Sequence, residues 1–340
     1  MVRLNLEQIA QKSGVSRSTV SRVINHDPRV SPDTRARVEL VIKQLDYQPN
    51  AAARSLAGGR SHVLGLVIPM GVGRIFTDPY FPLLIQGVSS ACNALNYSVM
   101  LWIAEPEYER RTIGNILNNR LIDGVILSSM MTDDPILEAL AQAELPFILI
   151  GRHPSNNQVN YVDVDNTNSA REIVSYLLRM GYRRVATITG PQNMIAGIDR
   201  LEGYHAALRF WGVAMDTRLI VDGDFSEEGG YAAMQRLLPL RPDAVFAASD
   251  AMALGALRAI QEAGLKVPQD MGLVGYDDMP FVARTNPPIT TVRQPTLKVG
   301  AVATETLIGL IEQPGSGPHR IILPTEMVIR ESCRSAVSKS

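Results

Sequence analysis

From Val63 onward the chain repeats a pattern that few architectures satisfy. Short apolar runs, Val63–Pro69, Ser98–Ala104, Gly124–Ser128, Phe147–Gly151, Arg184–Gly190, Ala244–Ser249 and Leu273–Tyr276, alternate with amphipathic stretches of helical period. Strands that are apolar throughout and alternate with helices belong to an α/β fold with parallel sheets. The runs also echo one another. Asp123-Gly124-Val125-Ile126-Leu127-Ser128-Ser129 and Asp243-Ala244-Val245-Phe246-Ala247-Ala248-Ser249 read alike at corresponding places in two halves, which implies two similar lobes with a cleft between them.

Ligands of such sheets bind beyond the carboxyl ends of the strands. Polar residues just after the runs are therefore candidate contacts: Arg152, Asp165, Ser249 with Asp250, and Asp277. Arg200 opens an Arg-Leu-Glu-Gly-Tyr helix after the Thr189-Gly190-Pro191 loop, and Tyr80, Phe81 and Phe225 bring aromatic rings to loop ends. Rings stacked on a pyranose face, with Asp and Arg holding neighbouring hydroxyls, would make a sugar site. Taken singly, each charge reads first as a helix cap or half of a surface pair, and the sugar reading rests on their being taken together.

The first 60 residues differ in kind. They hold ten Lys/Arg against five Asp/Glu, although the whole chain carries a net charge of −1, so a basic head precedes an acidic body. This asymmetry suits a head that meets a polyanion. Ile9 and Ala10 lie on a short helix that stops at Gly14; Ser16 caps a second, whose Val20, Val23 and Ile24 face inward and leave Arg17, Ser18, Ser21, Arg22 and Asn25 outside. That is the helix-turn-helix pattern, with a polar second helix suited to the major groove. Ser31 as cap and Pro32 announce a third helix carrying Val38, Val41, Ile42 and Leu45, which ends before Pro49. The Ala-rich segment from Asn50 to Ala57 is too short to be a stable helix alone. Its Leu56, beside Arg54, has the form of a minor-groove wedge, though a packing role would explain it as well.

VSRSTVSRVIN at 15–25, SPDTRARV at 31–38 and LDYQPNAAARSLAGGRS at 45–61 together resemble the LacI family of bacterial transcriptional regulators, and the likeness continues through the chain. The resemblance implies a small all-α helix-turn-helix headpiece (1–48), a hinge helix (49–60) and an α/β periplasmic-binding-protein-like core (61–340) of two doubly wound parallel-sheet lobes. The first lobe would span about 61–162 plus 292–325 and the second about 163–291 plus 326–335, the chain returning through Pro287–Pro295. By resemblance the DNA-contacting residues are Ser16, Arg17, Ser18, Thr19, Ser21, Arg22, Asn25, Ser31, Thr34, Asn50, Ala53, Arg54 and Leu56. Those contacting an effector are Tyr80, Phe81, Asp165, Arg200, Phe225, Ser249 and Asp277, to which the position of Arg152 adds a further candidate. Two departures bear on the ligand. Ser249-Asp250 stands where many relatives have Asn-Asp, and Met194 where purine-responsive members place an Arg, which disfavours a purine.

Other chemistry is missing. Gly71-Val72-Gly73 begins a phosphate-loop pattern, but Phe76 stands where a third Gly is needed. No nucleophile elbow, Walker A loop or zinc-protease motif occurs, the five His are scattered, and Cys92 and Cys333 have no partner at metal or redox spacing. Asp277 and Asp278 should point opposite ways and form no dyad. No run approaches the roughly 18 apolar residues of a membrane span, and no signal-peptide pattern opens the chain. The expectation is a cytoplasmic, homodimeric repressor of carbohydrate-utilisation genes without metal or cofactor, binding pseudo-palindromic double-stranded operator DNA under control of a mono- or disaccharide. The alternatives are the same fold with a corepressor or acting as an activator, and, from another class, a sugar-processing enzyme or carrier with a DNA-binding head.

Overall fold

The structure is a computed structural model that describes residues 5–24, 27–45, 47, 60–103, 114, 121–128, 131–132, 136–153, 155–156 and 158–333. It divides into two compact units, 1–61 and 62–340.

The first unit holds three helices, α1 (Leu6–Ser13), α2 (Arg17–Ile24) and α3 (Pro32–Gln44). Local chemistry sets their ends. Asn5 accepts from the Gln8 N–H while the Gln8 side chain accepts from the Asn5 N–H, a reciprocal cap on α1. Gly14 closes that helix at φ 65°, where a side chain would be strained. Ser16 Oγ accepts from the Thr19 N–H at 3.2 Å, starting α2, and Ser31 Oγ accepts from the Thr34 N–H at 3.4 Å with Pro32 in the first turn of α3. Ile9, Ala10, Val20, Val23, Val38, Val41 and Tyr47 fill the space between the three.

The second unit is built on two parallel sheets. The strands of the first are β1 (Val63–Ile68), β2 (Ser98–Ile103), β3 (Gly124–Ser128), β4 (Phe147–Ile150), β5 (Tyr161–Val164) and a late return, β11 (Arg320–Leu323), in the order β11-β5-β4-β3-β1-β2. The second sheet has the order β7-β6-β8-β9, from β6 (Val185–Thr189), β7 (Ile220–Asp222), β8 (Ala244–Ala247) and β9 (Gly272–Val274). All neighbours within the two sheets are parallel; β10 (Thr291–Arg293) and β12 (Glu326–Val328) form a separate antiparallel pair. The helices, in chain order, are α4 (Val72–Thr77), α5 (Tyr80–Ala94), α6 (Ile136–Gln142), α7 (Asn166–Arg179), α8 (Ile195–Phe210), α9 (Glu227–Leu237), α10 (Asp250–Glu262) and α11 (Thr296–Glu312).

The inner strands β1, β3, β4, β6 and β8 are almost wholly buried because both faces of each sheet are covered there, whereas β2 and β11 at the ends of the first sheet are partly exposed. Leu64, Leu66, Ile126, Ile148 and Ile150 pack on one side of the first sheet; Val67, Val125, Leu127 and Leu149 pack on the other. In the second sheet Ala186, Ile188, Val245 and Leu273 oppose Val185, Ala244, Phe246 and Val274 in the same way. Several helix pairs pack closely through glycine: a Cβ on Gly87 in α5 would lie 2.2 Å from the carbonyl oxygen of Leu297 in α11, and one on Gly255 in α10 would lie 1.9 Å from that of Glu227 in α9. The echo between the halves has a structural meaning. Asp123 Oδ2 accepts from the His62 N–H at the mouth of β1 (2.8 Å), and Asp243 accepts from the Arg183 and Arg184 N–H groups at the mouth of β6 (2.6 and 2.9 Å). Each aspartate ties its own strand to the start of the neighbouring one.

Candidate functional site

The carboxyl ends of strands from both sheets converge on one cavity. Met70 follows β1, Gly151 and Arg152 follow β4, Asn166 follows β5, Ser249 follows β8 and Asp277 follows β9; all line it. The space open to the centres of water molecules is about 110 Å³. At ~10–15 Å³ for each such site, several waters fit, the hydration that a polar ligand would replace.

Two guanidiniums organise its walls. Arg200, at the second turn of α8, is almost wholly buried: its Nε donates to Asn166 Oδ1 (2.9 Å), its Nη1 donates to the Ala248 carbonyl (2.6 Å) and lies 3.4 Å from Asp277 Oδ1. The guanidinium rests 3.7 Å from the centre of the Tyr276 ring and 5.6 Å from that of Phe225. Arg152 donates to both carboxylate oxygens of Asp199 on α8 and to Asp163 Oδ2 in β5 (3.0 Å). Burial disfavours its cation, yet these two carboxylates raise its pKa above the ordinary arginine value.

The acids are equally constrained. Burial pushes Asp277 up to about 6 against the pull of Arg200, with Asp78 adding to the rise; Gln294 Nε2 donates to its Oδ1 at 2.5 Å. Asp163 is likewise raised by burial to about 6, although the Val164 N–H and Arg152 favour its charged form. Asp250 is fully buried behind the cavity, where it accepts from Thr291 Oγ1 and the Met279 N–H, both at 2.7 Å; burial and the charge of Asp277 hold its pKa well above the carboxylate range. Phe225 (φ 66°) and Asp277 (φ 121°) adopt left-handed backbone conformations that cost energy outside glycine, and such strain collects where a side chain must be aimed.

Of the residues expected to meet a ligand, Tyr80, Phe81, Arg152, Arg200, Phe225, Ser249 and Asp277 all line this cavity. Asp165 does not. It caps α7, accepting from the backbone and side-chain N–H groups of Asn168, while Asp163, Val164 and Asn166 on either side line the cavity. Ser249 lines it and also caps α10 by accepting from the Met252 N–H. Asp278 turns away to Arg293 and Arg330, consistent with the opposed directions expected of the pair. Sequence reasoning passed over Asp78, Asp163, Asn166, Gln294 and, behind the lining, Asp199. For Asp163 a signal existed, a carboxylate inside an otherwise apolar strand; Gln294 and Asp199 come near only through the fold.

In the headpiece, Arg17, Ser18 and Arg22 are exposed on α2, and Ser21 is half-buried. Ser16 Oγ lies 2.8 Å from Ser18 Oγ and 2.9 Å from Thr19 Oγ1, a cluster of hydroxyls at the start of α2, and Ser31 Oγ donates to Thr34 Oγ1 at 2.9 Å. Among the described residues, Arg17 makes a 3.8 Å ion pair with Glu7. Asn25, Asn50, Ala53, Arg54 and Leu56 lie outside the described residues. Among the described residues no helix is long and apolar enough to cross a membrane, and no group of His, Cys, Asp and Glu could hold a metal ion.

A helix-turn-helix unit followed by a two-sheet core with a polar cavity at its strand ends defines a ligand-responsive DNA-binding regulator. Residues 5–50 match the family model for bacterial regulatory proteins of the lacI family, and residues 174–333 match the periplasmic binding protein-like domain. The chain is 40% identical to the HTH-type transcriptional regulator CelR of Thermobifida fusca over 97% of its own length and 98% of that protein. It is 36% identical to the ribose operon repressor of Escherichia coli (strain K12) over 96% and 99%. Among solved structures it resembles the CelR–cellobiose complex (TM-score 0.78, 39% identity, 97% and 100% coverage). It also resembles the lac repressor dimer bound to operator and the anti-inducer ONPF (TM-score 0.83, 27% identity, 98% and 99% coverage). The chain belongs to the LacI family of bacterial transcription regulators, and its relatives are regulators rather than enzymes.

Proposed function

We propose that this protein is a homodimeric repressor of carbohydrate-utilisation genes whose affinity for a pseudo-palindromic operator is set by a small sugar bound between the lobes of the core. The observation that carries the ligand reading is the cavity itself, where Asn166, Gln294, Asp163 and Asp277 surround the two guanidiniums and Tyr80, Phe81 and Phe225 supply rings. Vicinal hydroxyls both donate and accept, and such a mixture of carboxylate, amide and guanidinium meets both needs beside an aromatic face. Cellobiose in the CelR complex makes a β-linked glucose disaccharide the first ligand to try. DNA contact is assigned to Ser16, Arg17, Ser18, Thr19, Ser21 and Arg22, whose side chains suit base edges and phosphates, and to Asn25, Ser31, Thr34, Asn50, Ala53, Arg54 and Leu56 by the family likeness.

The test is thermal unfolding of the full chain against neutral mono- and disaccharides, their phosphates and purines. A ligand at a hundredfold its Kd adds about 2.7 kcal/mol. Stabilisation by one sugar, lost in Gln294→Ala, supports the reading; stabilisation by a purine alone refutes it. Whether the sugar weakens or strengthens operator binding then separates inducer from corepressor.

A further inference from the structure

The charges around the cavity do not balance, and their arrangement bears on which sugars can enter. Asp78, Asp163 and Asp277 line it and Asp199 lies directly behind Arg152, so four carboxylates face two guanidiniums. Each cation is already paired with a carboxylate of the protein. Arg200 is taken by Asn166, the Ala248 carbonyl and Asp277, and Arg152 lies between Asp163 and Asp199. Among the described lining residues there is no lysine or histidine.

Asp199 is the decisive member of this set. It reaches from α8, which flanks the second sheet, to an arginine that follows β4 of the first, and grips it with both carboxylate oxygens. Without Asp199, Arg152 would face the cavity with only Asp163, whose charged form burial already disfavours. A phosphate or carboxylate is bound best by an arginine fork that is otherwise unpaired. Here the fork is engaged by the protein's own carboxylates, and an incoming anion would meet Asp163 and Asp277 at short range in a partly desolvated site.

We infer that Asp199, by neutralising Arg152 across the cleft, makes the cavity selective for uncharged sugars over their phosphorylated and uronic counterparts. This rests on the sugar reading above, which it narrows to a chemical class, and it assigns to Asp199 the role of a specificity-determining residue.

The experiment is isothermal titration calorimetry on the full chain with glucose, ribose and cellobiose against glucose 6-phosphate and glucuronate. The wild type binds a neutral sugar and takes the anions at least roughly tenfold more weakly. Asp199→Asn keeps an acceptor in place but removes its charge. It narrows or reverses that preference by at least roughly tenfold, and the gain is lost in high salt. Asp199→Glu keeps the preference, and Arg152→Gln/Asp199→Asn, with no cation exposed, fails to gain the anions. Equal binding of neutral and anionic sugars by the wild type overturns the inference even if no variant folds. An unchanged preference in folded Asp199→Asn overturns it while leaving the sugar site intact. Failure of every sugar to bind the wild type removes the sugar reading and the inference together.

Discussion

Replacing Arg200 by Met tests the electrostatic construction of the cavity more sharply than any truncation. Met retains an unbranched stem and a favourable sulfur contact with the Tyr276 ring, so what disappears is the charge and its donors. The loss strands Asp277, which is 8% exposed and keeps only Gln294 as a side-chain partner among those described, and it leaves Asn166 Oδ1 and the Ala248 carbonyl without the donor they share. Removing one partner of a buried ion pair costs about 3–5 kcal/mol. For domains of this size that corresponds to a fall in Tm of roughly 6–20 °C.

The pH dependence identifies the cause. Burial already raises Asp277 from 3.8 to about 6, and Arg200 acts to lower it. Without that cation the folded-state value climbs further while the unfolded value stays put. The folded protein then binds more protons than the unfolded chain across that interval, so stability is retained at low pH and lost as pH rises through the folded-state value. The deficit of Arg200→Met, followed by calorimetry, should be modest at pH 5 and full at pH 8, and a second change, Asp277→Asn, should recover much of it at pH 8. A deficit under about 1 kcal/mol, one equal at both pH values, or no recovery by Asn would refute the reasoning.

Three further outcomes follow from the same geometry. Asp163 and Asp277, both raised to about 6 by burial, accept sugar hydroxyls best when ionised, so calorimetric affinity for the effector should fall as pH drops from 8 to 5; a flat profile would contradict their role. Gly87→Ala forces a Cβ to within 2.2 Å of the Leu297 carbonyl, and separating α5 from α11 should destabilise the core by about 1–3 kcal/mol in denaturant titrations, whereas an unchanged midpoint would mean the helices yield freely. Arg22→Ala, on the exposed face of α2, should weaken operator binding and lower the salt slope by about 1. Headpiece stability should stay within about 0.5 kcal/mol, and a salt slope equal to the wild type would remove Arg22 from the interface.

Much of this molecule was legible in its sequence, for identifiable reasons. Strands made largely of apolar residues leave continuous runs, so β1, β2, β3, β4, β6, β8 and β9 could be read directly, although β2 is exposed or half-buried along its length. Caps write themselves in single residues, as Gly14 and Ser31 show. What escaped was short or partly exposed: β7 and β12 span three residues each with mixed burial, too little for periodicity to register. The rule that ligand contacts follow strands pointed to Arg152, Ser249 and Asp277, which line the cavity, and to Asp165, which does not, while its neighbour Asp163 does. A charge after a strand serves as well for capping the next helix, and here the backbone of α7 claimed it. Asp199 and Gln294 are ordinary helix and loop residues until folding brings α8 to Arg152 and the chain's return to Asp277. No local pattern encodes such meetings.

The central claim is that the headpiece and the cavity act on one equilibrium, and reciprocal linkage tests it most directly. Operator affinity should be measured at fixed salt with and without the saturating sugar, and sugar affinity with and without operator. The account predicts that both change, in the same direction and by the same factor, between about 5 and 150. Tight binding of each ligand with neither affecting the other would contradict it.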